Sequence, residues 1–180
     1  MATTKPKLSA TQRRLVKELN EIADLFNLSP SSILEEDPES WTPRLRLAKD
    51  QLVRSQVVVW YALVDEFLNS RIAHYFFSRR RSFPELWRTK RFKLFNYHVL
   101  EELSLLQKLR FVKAIEQVPK PIVADIERLN ALRNGLAHAF FPENLKKVKP
   151  EWKGQSILAI PTLERFGEDM QKVFDHFLPV

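Results

Sequence analysis

The stretch from Arg44 to about Phe77 constrains this chain more than any other. Leu45, Ala48, Leu52, Val59, Leu63 and Phe67 recur at helical spacing, and Val53, Val57, Trp60, Val64, Leu68 and Ile72 form a second stripe. A helix apolar on two sides belongs at the buried centre of a bundle rather than on its surface. The β-branched run Val57, Val58 and Val59 would suit a strand, but the flanking helical period is too long and too regular for one. Glycine usage points the same way. Three Gly in 180 residues starve tight turns and phosphate-cradling loops, so no P-loop or dinucleotide fingerprint is expected, and the sequence contains none. The predicted fold class is all-α, a single-domain bundle of about five helices. With 44% hydrophobic and 28% charged residues, the chain is long enough for one buried core and short for two domains.

The other segments fall into place around that helix. Residues 1–8 read as a frayed tail and 9–180 as the domain. Ser9 followed by Gln12 is a capping-box start, with Leu15, Leu19, Ile22 and Phe26 on the inward stripe. Residues 29–43 read as an acidic, Pro-containing linker carrying Glu35, Glu36, Asp37 and Glu39. Asn96 is expected to cap a helix through about Ile115, carried by Val99, Leu103, Leu106, Leu109, Phe111 and Val112, with a break at Val118 to Pro121. A short extended piece is expected at Ser156 to Ile160. Pro161 and Thr162 then start a last helix with Leu163, Phe166, Met170, Val173, Phe174 and Phe177 facing in.

Composition also limits the chemistry. Zero Cys excludes disulfides, thiolate catalysis and Cys-ligated metal sites, and suits a reducing cytosol. The four His show no ligand spacing and no His-Glu-x-x-His occurs, so no metal or other cofactor is expected. No apolar stretch follows the first basic residues, and the longest uncharged apolar run, Val57 to Val64, falls far short of the roughly 20 residues that span a bilayer. The expectation is a cytoplasmic protein with no membrane association. A net charge of +7 favours a polyanionic partner such as RNA.

The segment Pro121 to Phe141 carries the chemistry. Pro121 suits a first helical turn, and Ile122, Ile126, Leu129, Leu132 and Leu136 recur at three- and four-residue steps, which predicts an amphipathic helix. Asn134 and His138 then lie one turn apart on the same side, with Arg133 one step around. Gly135, Ala137 and Ala139 leave room for a second backbone or a bulky substrate to approach. Arg-x4-His alone is a weak pattern in a chain with 15 Arg and 4 His. The Asn directly after the Arg, one of only 7, makes it considerably rarer.

Arg133, Asn134 and His138 together resemble the R-N-x-x-x-H form of the motif that marks the HEPN superfamily, small all-helical proteins that include ribonuclease toxins. The resemblance implies a metal-independent endoribonuclease, active as a homodimer in which two motifs face each other, in a toxin–antitoxin or antiphage defence role. In toxins of this family paired with a nucleotidyltransferase antitoxin, the motif continues His-x-Tyr and the Tyr receives the nucleotide. Phe140 stands here instead, so a cognate inhibitor would have to work by other chemistry.

The residue types fit that reading. An imidazole exchanges protons near neutral pH, which suits His138 as acid or base. A guanidinium fork bonds phosphate oxygens bidentately, which suits Arg133, and Asn134 could orient the imidazole or bind a phosphate oxygen. One copy supplies a single titrating group, whereas strand cleavage asks for both an acid and a base. A symmetric pair supplies both. Glu66, or else Asp65, is the candidate carboxylate to hold Arg133. Arg79, Arg80, Arg81, Arg88, Lys90 and Arg91 are interleaved with Phe83, Trp87, Phe92, Phe95 and Tyr97 as a groove for single-stranded RNA would require. Lys146 and Lys147 could flank the site. The competing reading is a non-catalytic RNA-binding or protein-interaction module, in which Arg133 pairs structurally with Asp125, Glu127 or Glu66 and His138 is a core histidine. In the same bland reading the aromatics of the 78–98 segment anchor it to the core.

Overall fold

The computed structural model describes residues 9–25, 30–34, 38–77, 82–138 and 150–178, and the fold is all-α. Contacts group the chain into two compact units, Met1–Leu52 and Val53–Val180. The first contains α1 (Ala10–Leu25), α2 (Pro30–Leu34) and the opening of α3 (Pro38–Phe77). Where a linker was expected over residues 29–43, helix occupies Pro30–Leu34 and resumes at Pro38, with Pro43 inside α3. Proline cannot donate to the carbonyl four residues back, but so close to the helix start only that one bond is lost. Ile22, expected on the inward face of α1, is half exposed. The expected tail at 1–8, Phe26 and the acidic residues Glu35, Glu36 and Asp37 lie outside the described residues.

The second unit holds the main core. Of the two apolar stripes on α3, one is buried: Val53, Val57, Val64, Leu68 and Ile72 are all within 3% of full burial. On the other, Val59 is 50% and Leu63 38% exposed, so within the described residues this helix is a wall with one covered face. Periodicity shows that both faces are apolar but not whether a neighbour covers each.

Between α3 and the next long helix the chain makes two short helices, α4 (Phe83–Trp87) and α5 (Lys90–Phe95). Ser82 opens α4 through a reciprocal capping box with Glu85, and Thr89 caps α5 by accepting from the Phe92 amide. α5 runs into a π-helical turn at Asn96–Leu100 and stops. Asn96 therefore does not cap the following helix. It is buried and donates to Glu101 at 2.7 Å, while Ser104, in a capping box with Gln107, starts α6 (Leu105–Ile115). Leu103 and Leu106 keep the helical period across the break, which concealed it in the sequence. Phe111 and Val99, expected inside, are exposed.

α7 (Lys120–His138) lies at the centre of this unit, packed against α6, against a small hairpin and against α8 (Ile160–Phe177). Its stripe Ile122, Ile126, Leu129, Leu132 and Leu136 is buried, as the spacing predicts. The hairpin is β1 (Glu151–Trp152) and β2 (Gln155–Ser156), with Glu151 opposite Ser156 and Trp152 opposite Gln155. This places extended backbone earlier than Ser156–Ile160. Lys153 and Gly154, the two loop residues, both have positive φ, 49° and 81°, the geometry whose twist matches the flanking strands. A lysine in that conformation is uncommon, and its side chain shows what the turn accomplishes.

Lys153 Nζ lies 2.7 Å from Asp169 on α8 and 3.2 Å from Asp125 on α7. Trp152, fully buried edge-on against Phe166, donates its indole N–H to the same Asp169 at 3.0 Å. Burial alone would raise the Asp169 pKa, but hydrogen bonds from Lys153, Trp152 and Lys172 outweigh it and hold the carboxyl below its usual 3.8. Burial would likewise lower the Lys153 pKa, and the two aspartates instead hold it above 10.5. A depressed acid stabilises the fold above its unfolded pKa and loses that contribution as pH falls through the folded one. A raised base does the reverse on the alkaline side.

Replacing Lys153 with Met should leave two nearly buried carboxylates without their shared cation and cost about 2–3 kcal/mol in urea unfolding at neutral pH. The gap from wild type should be widest near neutral pH, close as falling pH protonates the carboxylates that Lys153 kept charged, and close again as rising pH passes the raised Lys153 pKa above 10.5.

Candidate active site

The end of α7 is built by residues from two directions. Leu132 and Leu136 face the core, which turns Arg133 and Asn134 outward, and both are exposed. The free carbonyls of a helix C-terminus attract cations, and Arg54 of α3 donates a guanidinium N–H to the Leu136 carbonyl. Seven residues along α3, Tyr61 lies on the same side of that helix, and the Arg133 guanidinium sits over its ring, 5.1 Å from the centroid. Arg133 also donates to Asn134 Oδ1 at 3.2 Å. The guanidinium thus lies over an aromatic ring and donates to the neighbouring amide. Val58 lies between Arg54 and Tyr61 on α3 and is 55% exposed.

Among the described residues Arg133 makes no ion pair. Of the carboxylates considered as partners, Glu127 is exposed and the others are engaged elsewhere. Asp125 binds Arg128 at 2.7 Å as well as Lys153, Asp65 binds the buried Lys108 at 2.7 Å, and Glu66 lies 3.5 Å from the Asn69 amide. Asp65 and Arg133 meet only through Tyr61, on which they act in opposite senses. Burial pushes the Tyr61 hydroxyl above its usual 10.0, Asp65 pushes it further, and Arg133 pulls it back.

His138 closes α7 in the chain, one turn beyond Asn134, and its side chain lies outside the described residues. Arg79, Arg80, Arg81, Phe140, Lys146 and Lys147 lie outside them as well. Arg88, Lys90 and Arg91 are exposed, with Arg91 over the Phe77 ring at 5.5 Å. The aromatics expected to alternate with them as base-stacking surfaces are mostly packed on one another. Phe92 is fully buried and meets Phe77, Phe83 and Trp87 edge-on at centroid distances of 5.3–5.6 Å, and only Tyr97 is well exposed. Anchoring this segment to the core is their role. Among the described residues no group of three or more His, Asp or Glu converges as a metal site, and no helix is long and apolar enough to cross a membrane.

Sequence reasoning missed Arg54, Tyr61 and Lys108. The seven-residue step between Arg54 and Tyr61 marks one helix face, but nothing in the sequence says that this face meets the end of α7. No family model, no curated protein and no solved structure matches the chain.

Because Arg133 lies over Tyr61 and pulls its pKa down, Arg133→Ala should raise the pKa of the Tyr61 hydroxyl further above 10.0, followed by NMR of ring-labelled tyrosine on alkaline titration. An unmoved Tyr61 would place the guanidinium elsewhere.

Proposed function

We propose that this chain is a metal-independent endoribonuclease that acts as a symmetric homodimer in a toxin or antiphage defence role, held in check by a partner protein. One observation carries the proposal. Arg133 and Asn134 are presented together at the end of α7, exposed and not consumed by any ion pair among the described residues, one turn before His138. Exposed as it is, this arginine needs no carboxylate partner, and what supports the reading is its orientation beside Asn134 within the motif. It is oriented by a ring and an amide and keeps N–H donors for a ligand. A phosphodiester fits that fork.

The chemistry follows from two copies. The 2′-hydroxyl of the substrate loses its proton to one His138 and attacks phosphorus. The bond to the 5′-oxygen breaks, and the partner's His138 protonates that leaving oxygen. Two Arg133 forks steady the charge that builds on the phosphoryl oxygens. The products are a 2′,3′-cyclic phosphate and a free 5′-hydroxyl. The exposed Val58, on the Arg54–Tyr61 face of α3, supplies apolar surface beside the motif, which a second copy could cover. The same surface also favours the second reading, a non-catalytic module that binds RNA or protein through this face.

Incubation of the purified chain with mixed RNA in excess chelator should yield fragments ending in cyclic phosphate. His138→Ala and Arg133→Ala should each cut the rate by about 100-fold or more while remaining folded and dimeric by circular dichroism and light scattering. Arg133→Lys should recover only part, since a point charge lacks the fork. Cleavage unchanged in both alanine variants marks a contaminating nuclease, and RNA binding without any cleavage supports the module.

A further inference from the structure

The positive charge of this chain is not spread evenly. From Tyr75 to His98, 24 residues hold seven Lys and Arg against one acid, Glu85, so this stretch carries +6 of the net +7. Glu85 is engaged in the cap of α4, where it accepts from the Ser82 amide and hydroxyl at 2.7 and 2.9 Å. The next acids, Glu101 and Glu102, come after the π-helical turn, and Glu101 accepts from the buried Asn96. Charge of this density raises the rate of encounter with a polyanion.

Aromatic surface lies in the same place. α3 ends in Tyr75, Phe76 and Phe77, and while Phe77 packs edge-on against the buried Phe92, Tyr75 and Phe76 are each half exposed. Ring contacts join them to the cations. Phe76 meets Phe95 of α5 at a centroid distance of 5.8 Å, Phe95 meets Phe77 at 5.1 Å, and the exposed Arg91 lies over Phe77. Lys90 and Lys93 on the same short helix are exposed, as is Tyr97 on the turn that follows. One exposed ring is ordinary, but exposed rings joined to a run of cations mark a surface for a partner.

We infer that this surface docks single-stranded RNA, with Lys90, Arg91 and Lys93 on its phosphates and Tyr75, Phe76 and Tyr97 as platforms for unpaired bases. A duplex keeps its bases stacked on one another and would leave the rings idle. An acidic peptide would match the charge but not the rings, and an anionic lipid surface asks for apolar bulk rather than ring faces. The choice of RNA among polyanions rests on the ribonuclease reading, whereas the surface does not. Phe76 follows Tyr61 by 15 residues of α3, about 22 Å along the helix, so the surface holds the strand away from Arg133 and is not part of the reacting centre.

The test is fluorescence anisotropy of the full chain with a 2′-O-methyl oligouridylate of about 20 nucleotides, longer than one such site needs. This strand stays unpaired and lacks the 2′-hydroxyl that the proposed cleavage requires, so binding is read whether or not the chain is a nuclease. Half-saturation is expected at about 10 µM at physiological salt. The same strand paired with its complement should bind about fivefold more weakly, although charge alone would favour the denser duplex. Tyr75→Leu with Phe76→Leu keeps apolar bulk against Phe95 but removes the rings, and should weaken the strand about tenfold. Lys90→Gln with Lys93→Gln should flatten the dependence of log Kd on log salt by about 1.4. Lys113→Gln with Lys120→Gln, which removes equal charge from exposed positions at the α6–α7 junction, should leave that dependence unchanged. The inference is overturned by a duplex that binds as tightly as the strand, by full affinity in the leucine variant, or by an equal flattening in the Lys113 and Lys120 variant. Binding to vesicles of phosphatidylcholine and phosphatidylserine without binding to the strand also overturns it and makes the surface a membrane contact. Strand binding without cleavage of unmodified RNA upholds the inference and removes the ribonuclease reading, and cleavage with unchanged strand affinity in the leucine variant does the reverse.

Discussion

A single ammonium group, Lys153 Nζ, sits between Asp125 on α7 and Asp169 on α8, and the placement of the motif helix depends on it. Two nearly buried carboxylates raise the cost of packing these helices together, and although Arg128 and Lys172 each touch one of them, only the hairpin's lysine bridges both. The delivery uses a residue at positive φ, a conformation lysine adopts at a cost, in a turn where Gly154 takes the second such position. The buried Trp152 beside it adds an indole hydrogen bond to the same carboxylate and fixes the hairpin on α8.

The other end of α7 is held by Arg54, which satisfies a terminal carbonyl. The helix is therefore fixed near its start by an ion pair and near its finish by a donor on its last turns. Between those points Ile126 and Leu129 are wholly buried. This anchoring makes an outward-facing Arg133 useful, because a fork on a frayed helix end would spend binding free energy on being ordered. The Tyr61 face completes the arrangement by confining the guanidinium without neutralising it.

Tyr61 separates two regions of opposite electrostatic character. On one side is a cation with free donors, suited to phosphate. The same ring lines a cavity together with Asp65, Glu66 and Glu101, beside Lys108. The ring feels both, which is why burial and Asp65 push its hydroxyl in one direction and Arg133 in the other. Both regions use α3 as a common wall, and the exposed Val58, Val59 and Leu63 on that wall remain as apolar surface.

The sequence by itself determined the all-α class, the helical placement of Arg133, Asn134 and His138, and the inward stripe of α7, because these depend on local period and on the scarcity of glycine. It also carried the capping boxes at Ser82 and Ser104, but there the unbroken period of Leu103 and Leu106 hid the break that makes Ser104 a helix start. Only the tertiary structure decided which α3 stripe is covered, since both are equally apolar. It alone decided that Asp65 answers Lys108 rather than Arg133, and that the aromatics of the 82–98 segment pack on one another rather than standing free. The physical reason is that periodicity is set by neighbours a turn apart, whereas the partner of a charge or a ring is set by which helices meet, and spacing along one helix carries no record of that.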